Sequence, residues 1–148
     1  MPDLRAFLSL PLGDKVRLSL SVFLLLFIWG GVVVMSFNRF RKLLLKIGKA
    51  GSSVIPGSPS PGRVARSVDF ADRSLPGDRT CLVRSLTAET LLRMYGYVPK
   101  HRIGVDKNEK GAVEAHSWIE YNGAILIGDL EDLSRFKPLP SLDEVGHL

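Results

Sequence analysis

The chain has 148 residues, 45% of them hydrophobic and 24% charged, with a net charge of +5 and a single cysteine. That is room for one domain able to bury its own core, and it excludes a disordered or collagen-like chain, an internal disulfide, a cysteine zinc site and a CxxC redox pair. The charge is lopsided: residues 1–66 carry ten Lys or Arg against Asp3 and Asp14, and residues 67–148 carry ten against thirteen Asp or Glu. The basic residues follow a long apolar run and are not interleaved with aromatics, which points away from nucleic acid and toward a membrane surface or a protein partner.

From Leu18 to Asn38 there are 21 residues without a charge. A helix of that length can cross a hydrocarbon core. Ser36-Phe37-Asn38-Arg39 is a poor signal-peptidase site, so a cleaved secretory signal is not expected. If residues 18–38 span a membrane, Arg39, Arg41, Lys42, Lys46 and Lys49 outnumber Lys15 and Arg17 and keep the C-terminal part in the cytoplasm. The competing reading is a hydrophobic helix packed in the protein or on a partner. Its amphipathic neighbours would be Leu4–Leu8 and Phe37–Ile47, the latter with apolar residues at 37, 40, 43, 44 and 47.

Composition then changes. Pro56-Gly57, Pro59, Pro61-Gly62 and Pro76-Gly77 mark residues 50–79 as a loop or linker. The expected organisation is N-terminal apolar and basic helices over 1–49, a Pro/Gly/Ser-rich linker over 50–79, and a functional unit over 80–148.

That unit opens with a helix over 81–95, with Thr80 as its N-cap, Gly96 as its terminating glycine and Cys81 in its first turn. Strands are expected over 97–105, 113–121 and 124–128. Asn122-Gly123 between the last two is a hairpin signal, because a type I′ turn needs positive φ at both central residues. A two-residue turn sets Tyr121 opposite Ala124. Counted down a regular ladder, Ile119 faces Leu126, Trp118 faces Ile127, and His116 faces Asp129, close enough for a carboxylate to hold an imidazole N–H. A bulge would break this count. Helices followed by a helix packed on an antiparallel sheet make the expected fold class α+β.

A cysteine at a helix N-terminus feels the positive end of the macrodipole, which favours the nucleophilic thiolate. With an imidazole to shuttle protons and a carboxylate to orient it, Cys81, His116 and Asp129 make the parts of an acyl-transfer triad. The order Cys, His, Asp on a helix and following strands is that of papain-like and transglutaminase-like enzymes. Against this, a lone cysteine on an apolar helix is commonly a small buried hydrophobe.

The segments Cys81-Leu82-Val83-Arg84-Ser85-Leu86, Tyr95-Gly96-Tyr97-Val98-Pro99, Ile103-Gly104-Val105 and Ala115-His116-Ser117-Trp118-Ile119-Glu120 narrow the comparison. Over residues 80 to about 135 they resemble the transglutaminase-like leader peptidases of lasso-peptide biosynthesis. That resemblance implies a cysteine peptidase with Cys81, His116 and Asp129 at its triad positions. It would need no cofactor or metal, and it would cut leader from core in a ribosomally made precursor peptide. It implies the split form, acting with a separate leader-recognition protein and ahead of a lasso cyclase. Such a peptidase is cytoplasmic, with membrane association through residues 18–38 left open. Another transglutaminase-like acyl transfer or deamidation, and a non-catalytic membrane-associated scaffold, are the alternatives.

Two further residues are candidates for substrate binding: Trp118, which packs the sheet or shields the imidazole, and Arg84, one helical turn from Cys81. The Cys81 amide is the natural oxyanion donor. His101 and His147 show no partner in the sequence.

Overall fold

The apolar run folds as one helix, α1 (Leu12–Val34), which breaks at Met35-Ser36 before α2 (Phe37–Gly51). The computed structural model describes residues 12–51, 59–77, 79–107, 110–128 and 136–138. Along α1, Arg17, Ser21, Leu24, Leu25 and Ile28 recur at helical spacing and are buried, while Phe23, Leu26, Phe27, Val33 and Val34 on the opposite stripe are exposed. Each fully buried Leu or Ile contributes about 1.5–3 kcal/mol, so this stripe commits α1 to the protein core. α2 is amphipathic, burying Phe40 and Leu44 and turning Arg39, Lys42 and Lys46 to solvent.

The stretch read as a linker contains a helix, α3 (Pro61–Ser74). Of the prolines that argued against helix, Pro61 occupies the first turn, where a missing N–H costs nothing, and Pro76 lies beyond the last residue of the helix. Ser60 caps it by accepting from the Arg63 amide, and Val64, Ala65, Val68 and Ala71 form its buried face. Arg17 of α1 donates from Nε to the Ser67 hydroxyl of α3 at 2.8 Å.

α4 (Cys81–Met94) follows, with Thr80 as its cap and Gly96 just past its end at φ +87°, as expected. Its residues Val83, Leu86, Ala88, Leu91 and Leu92 share one core with α1, α2, α3 and the sheet residues Ile119 and Ile127. The sheet has the order β3-β2-β1-β4, with β1 (Lys100–Lys107), β2 (Val113–Tyr121), β3 (Ala124–Ile127) and β4 (Lys137–Pro138). The pairs β1–β2, β2–β3 and β1–β4 are all antiparallel. The chain is α+β, four helices followed by an antiparallel sheet that packs against α4 among the described residues.

The Asn122-Gly123 turn forms with φ of +50° and +80°. Tyr121 pairs with Ala124 and Glu120 with Ile125, but Ile119 then pairs with Ile127, not Leu126. One extra residue in β3 makes a bulge. The run Ala124-Ile-Leu-Ile127 has no polar alternation, so its period cannot fix which residue points inward. The bulge buries Ile127 and leaves Leu126 partly buried against the same core. The regular count that set Trp118 against Ile127 and His116 against Asp129 therefore loses its basis, and Asp129 lies outside the described residues.

Candidate active site

Cys81 is the first residue of α4 and is half-buried. In the first turn of a helix the leading amides have no intrahelical acceptor. Thr80 Oγ1 takes the Val83 amide, and the Arg84 amide reaches the Thr80 carbonyl. The Cys81 and Leu82 amides therefore stay outside the ladder, where they suit a developing oxyanion.

Arg79 holds the approach to Cys81. Its guanidinium pairs with the Asp72 carboxylate and donates to the backbone carbonyls of Asp72 (2.6 Å), Pro76 (3.0 Å) and Leu75 (3.2 Å). A buried arginine on these last carbonyls satisfies the C-terminal end of α3 and complements its dipole. The same guanidinium sits 5.3 Å from the centre of the Trp29 ring, which ties α1 to the α3–α4 turn. Arg84, one turn into α4, lies 3.9 Å from Asp72 and is partly exposed. Thus Asp72 gathers both arginines that flank Cys81 in sequence.

His116 lies in the middle of β2, opposite Gly104 of β1. Its Nε2 is 2.5 Å from the Gly128 carbonyl oxygen. A carbonyl only accepts, so Nε2 carries the proton and Nδ1 of the neutral ring keeps its lone pair. Trp118, two residues along on the same face, stacks on the imidazole with ring centres 6.1 Å apart and planes 20° apart. Phe136 closes another side at 5.5 Å. Trp118 Nε1 donates to Glu120 at 2.9 Å, so this buried indole is anchored as part of the wall around His116.

Two glycines make that wall fit. A Cβ on Gly104 would lie 2.8 Å from both the Trp118 ring and Phe136 Cβ. Gly128 has φ +87°, and a Cβ there would come within 2.6 Å of the Ser117 carbonyl oxygen. Only glycine adopts that backbone freely and lets its carbonyl reach His116.

On the opposite face of the sheet, His101 is fully buried and both its nitrogens are engaged. Nδ1 is 2.6 Å from Glu89 Oε2, and Nε2 is 2.5 Å from Ser117 Oγ. Glu89 also accepts from Arg41 of α2 at 2.8 Å and lies 3.5 Å from Arg93. Burial acts to raise the Glu89 pKa, but the His101 hydrogen bond and the charges of His101, Arg41 and Arg93 outweigh it and hold the carboxyl below its ordinary 4.5. The network joins α2, α4, β1 and β2. His101, without a partner in the sequence, is in fact the best-connected histidine among the described residues; His147 lies outside them.

Cys81 and His116 thus have separate supports, and among the described residues no hydrogen bond joins the thiol to the imidazole. Arg79, Glu89 and Phe136 were not singled out from the sequence, and Ser117 and Gly128 counted only as ladder positions, Gly128 as the possible site of a bulge. Beside Phe136 a cleft of about 600 Å³ opens at the end of the sheet, lined by Val105, Asp106, Val113, Phe136, Lys137 and Pro138 among others. No group of three or more His, Cys, Asp or Glu able to hold a metal occurs among the described residues.

The family model described as the transglutaminase-like superfamily matches residues 29–141, about three quarters of the chain and all of α2, α3, α4 and the sheet. The chain belongs to the transglutaminase-like superfamily. Searches of curated proteins and of solved structures give no match. The superfamily match begins at Trp29, inside α1, so the outer helices are counted in the family's frame together with the Cys81 helix.

Proposed function

We propose that the chain is a cysteine peptidase of the transglutaminase-like superfamily that removes the leader from a ribosomally made lasso-type precursor. The observation that carries this is Cys81 at the first position of α4, followed in the family's order by a histidine whose one nitrogen is fixed by a backbone carbonyl. In this reading His116 Nδ1 takes the thiol proton, and the sulfur attacks the scissile carbonyl. The Cys81 and Leu82 amides hold the oxyanion. The proton then passes from His116 to the leaving amine, and water hydrolyses the acyl-enzyme by the same route in reverse. The Gly128 carbonyl orients the imidazole from Nε2, and Asp129, the next residue, would stabilise the imidazolium through its charge. Trp118 shields the ring from the side, and Arg84 grips an acidic residue of the leader.

The cleft beside Phe136 suits an extended peptide, with Lys137 and Asp106 at its rim. In the proposed pathway a separate leader-recognition protein delivers the precursor and a cyclase takes the freed core. The reaction needs no cofactor or metal.

The test uses the purified chain, a lasso-type precursor with its leader-recognition protein, and mass spectrometry. Wild type releases the leader, and Cys81→Ala and His116→Ala do not, each assayed below its own melting temperature. Cleavage retained by Cys81→Ala contradicts the reading. A mass change in the precursor without backbone scission assigns the same Cys81 chemistry to deamidation or amide exchange instead.

A further inference from the structure

Over its most apolar 18-residue window α1 has a mean hydropathy of 2.1, yet only 28% of that window is buried. A helix of that composition is ordinarily covered all round, by protein or by lipid. Here one stripe is covered and the other is bare: Phe23 is 65%, Val33 80% and Val34 83% exposed, with Leu26, Phe27 and Trp29 between them. The two stripes lie on opposite sides of the helix wheel. Phe23 and Phe27 stack on one another at 6.2 Å, so the bare side is a continuous apolar strip.

The buried stripe argues against a simple transmembrane helix. Leu24, Leu25 and Ile28 sit in the common core with α4, and Arg17 is bonded to Ser67 of α3. Spanning would pull these apolar residues out of that core and break the bond that ties α1 to α3. The bare strip can enter only the interfacial zone, at a depth of roughly 5–10 Å.

Charge identifies the occupant. From Lys15 to Val68 there is no Asp or Glu. Within that span α2 packs on α4 as α1 does, and it meets α1 where Phe40 touches Phe27 at 5.8 Å. Its outer face carries Arg39, Lys42 and Lys46, all exposed. Both outer faces point away from the same helix, side by side, one apolar and aromatic and the other cationic. A protein partner's surface would ordinarily meet charges of both signs, whereas an acid-free cationic face beside an apolar strip matches anionic lipid headgroups over acyl chains.

We propose that the outer faces of α1 and α2 form a docking surface for an anionic phospholipid membrane, on which the protein lies peripherally. This does not depend on the chemistry of Cys81.

The full chain is mixed, without detergent, with vesicles of phosphatidylcholine alone or containing phosphatidylglycerol, and both sedimentation and tryptophan emission are read. The protein pellets with the anionic vesicles and not with the neutral ones, and salt releases it. Its emission shifts to the blue through Trp29, since Trp118 is already buried. Val33→Glu with Val34→Glu abolishes pelleting. Neutralising Arg39, Lys42 and Lys46 to Gln weakens it on the order of a hundredfold, at about fivefold for each charge removed near the surface. Both variants alter exposed residues, and unchanged melting confirms their fold. Four results overturn the proposal: no preference for anionic vesicles, binding unaffected by Val33→Glu with Val34→Glu, resistance to both salt and alkaline extraction as for a spanning helix, or a stable dimer in solution that binds no vesicle.

Discussion

The two faces of the sheet each hold a histidine, and they hold it differently. Against α4, His101 is fully buried with Glu89 on one nitrogen and Ser117 on the other. By connectivity this Ser-His-Glu chain has the order of a hydrolase triad, but it is sealed and each member is satisfied. On the far face His116 has one nitrogen on a backbone carbonyl and aromatic rings beside it. The comparison teaches that, among the described residues, the histidine with the more polar partners is the sealed one, and the one that leaves Nδ1 uncommitted is the candidate shuttle. The saturated site stabilises the fold, and the unsaturated one is where chemistry is expected.

Exchanging the roles of the two histidines is the severest way to break this contrast. His116→Ala, assayed below its melting temperature, lowers leader cleavage by about 10²–10⁴-fold, as loss of a general acid–base does. His101→Gln, assayed below its melting temperature, stays within a few-fold of wild type. Equal losses in the two variants would erase the distinction. Next in size, Glu89→Ala leaves Arg41 and His101 buried without their carboxylate and costs about 3–5 kcal/mol in denaturant unfolding. Gly128→Ala strains a residue at φ +87° by about 1–2 kcal/mol before its clash with Ser117 is counted, and it moves the carbonyl off His116. It therefore lowers both melting temperature and cleavage, whereas Glu89→Ala acts chiefly on melting.

Acid sharpens the comparison further. The folded Glu89 carboxyl titrates below its unfolded value, so its contribution to stability is complete above pH 4.5 and is lost as pH falls through the lowered folded value. The stability of wild type accordingly drops more steeply than that of Glu89→Gln on acidification below that pH, measured by denaturant titration at a series of pH values. Arg84→Ala is the smallest change. Its partly exposed pairing with Asp72 at 3.9 Å is worth at most about 0.5 kcal/mol of stability. A larger effect on cleavage than on melting would assign it to the leader.

Local rules made much of this legible. The Thr80 cap, the Gly96 stop and the Asn122-Gly123 turn depend on neighbouring residues alone, and each forms as the sequence predicts. What was hidden is long-range or unpatterned. The helix at Pro61–Ser74 was masked by a proline that belongs at a helix start. The β3 bulge lies in an apolar run with no alternation to fix it. The Glu89–His101 pair joins residues twelve apart on different elements, and Arg41 reaches Glu89 across 48 positions, separations at which no spacing rule operates. Cys81 and His116 stood out because their surroundings are short motifs. The contact of the Gly128 carbonyl with His116 was hidden because it is made by a backbone atom.

The central claim, that His116 activates Cys81, is tested most directly by the alkylation rate of Cys81 with iodoacetamide near neutral pH. With one cysteine in the chain the signal has a single source. Wild type and His101→Gln should react fast and at similar rates, and His116→Ala should react slowly, each measured below its melting temperature. A slow wild-type reaction that His116→Ala leaves unchanged would contradict the account and make Cys81 an inert residue of the helix start.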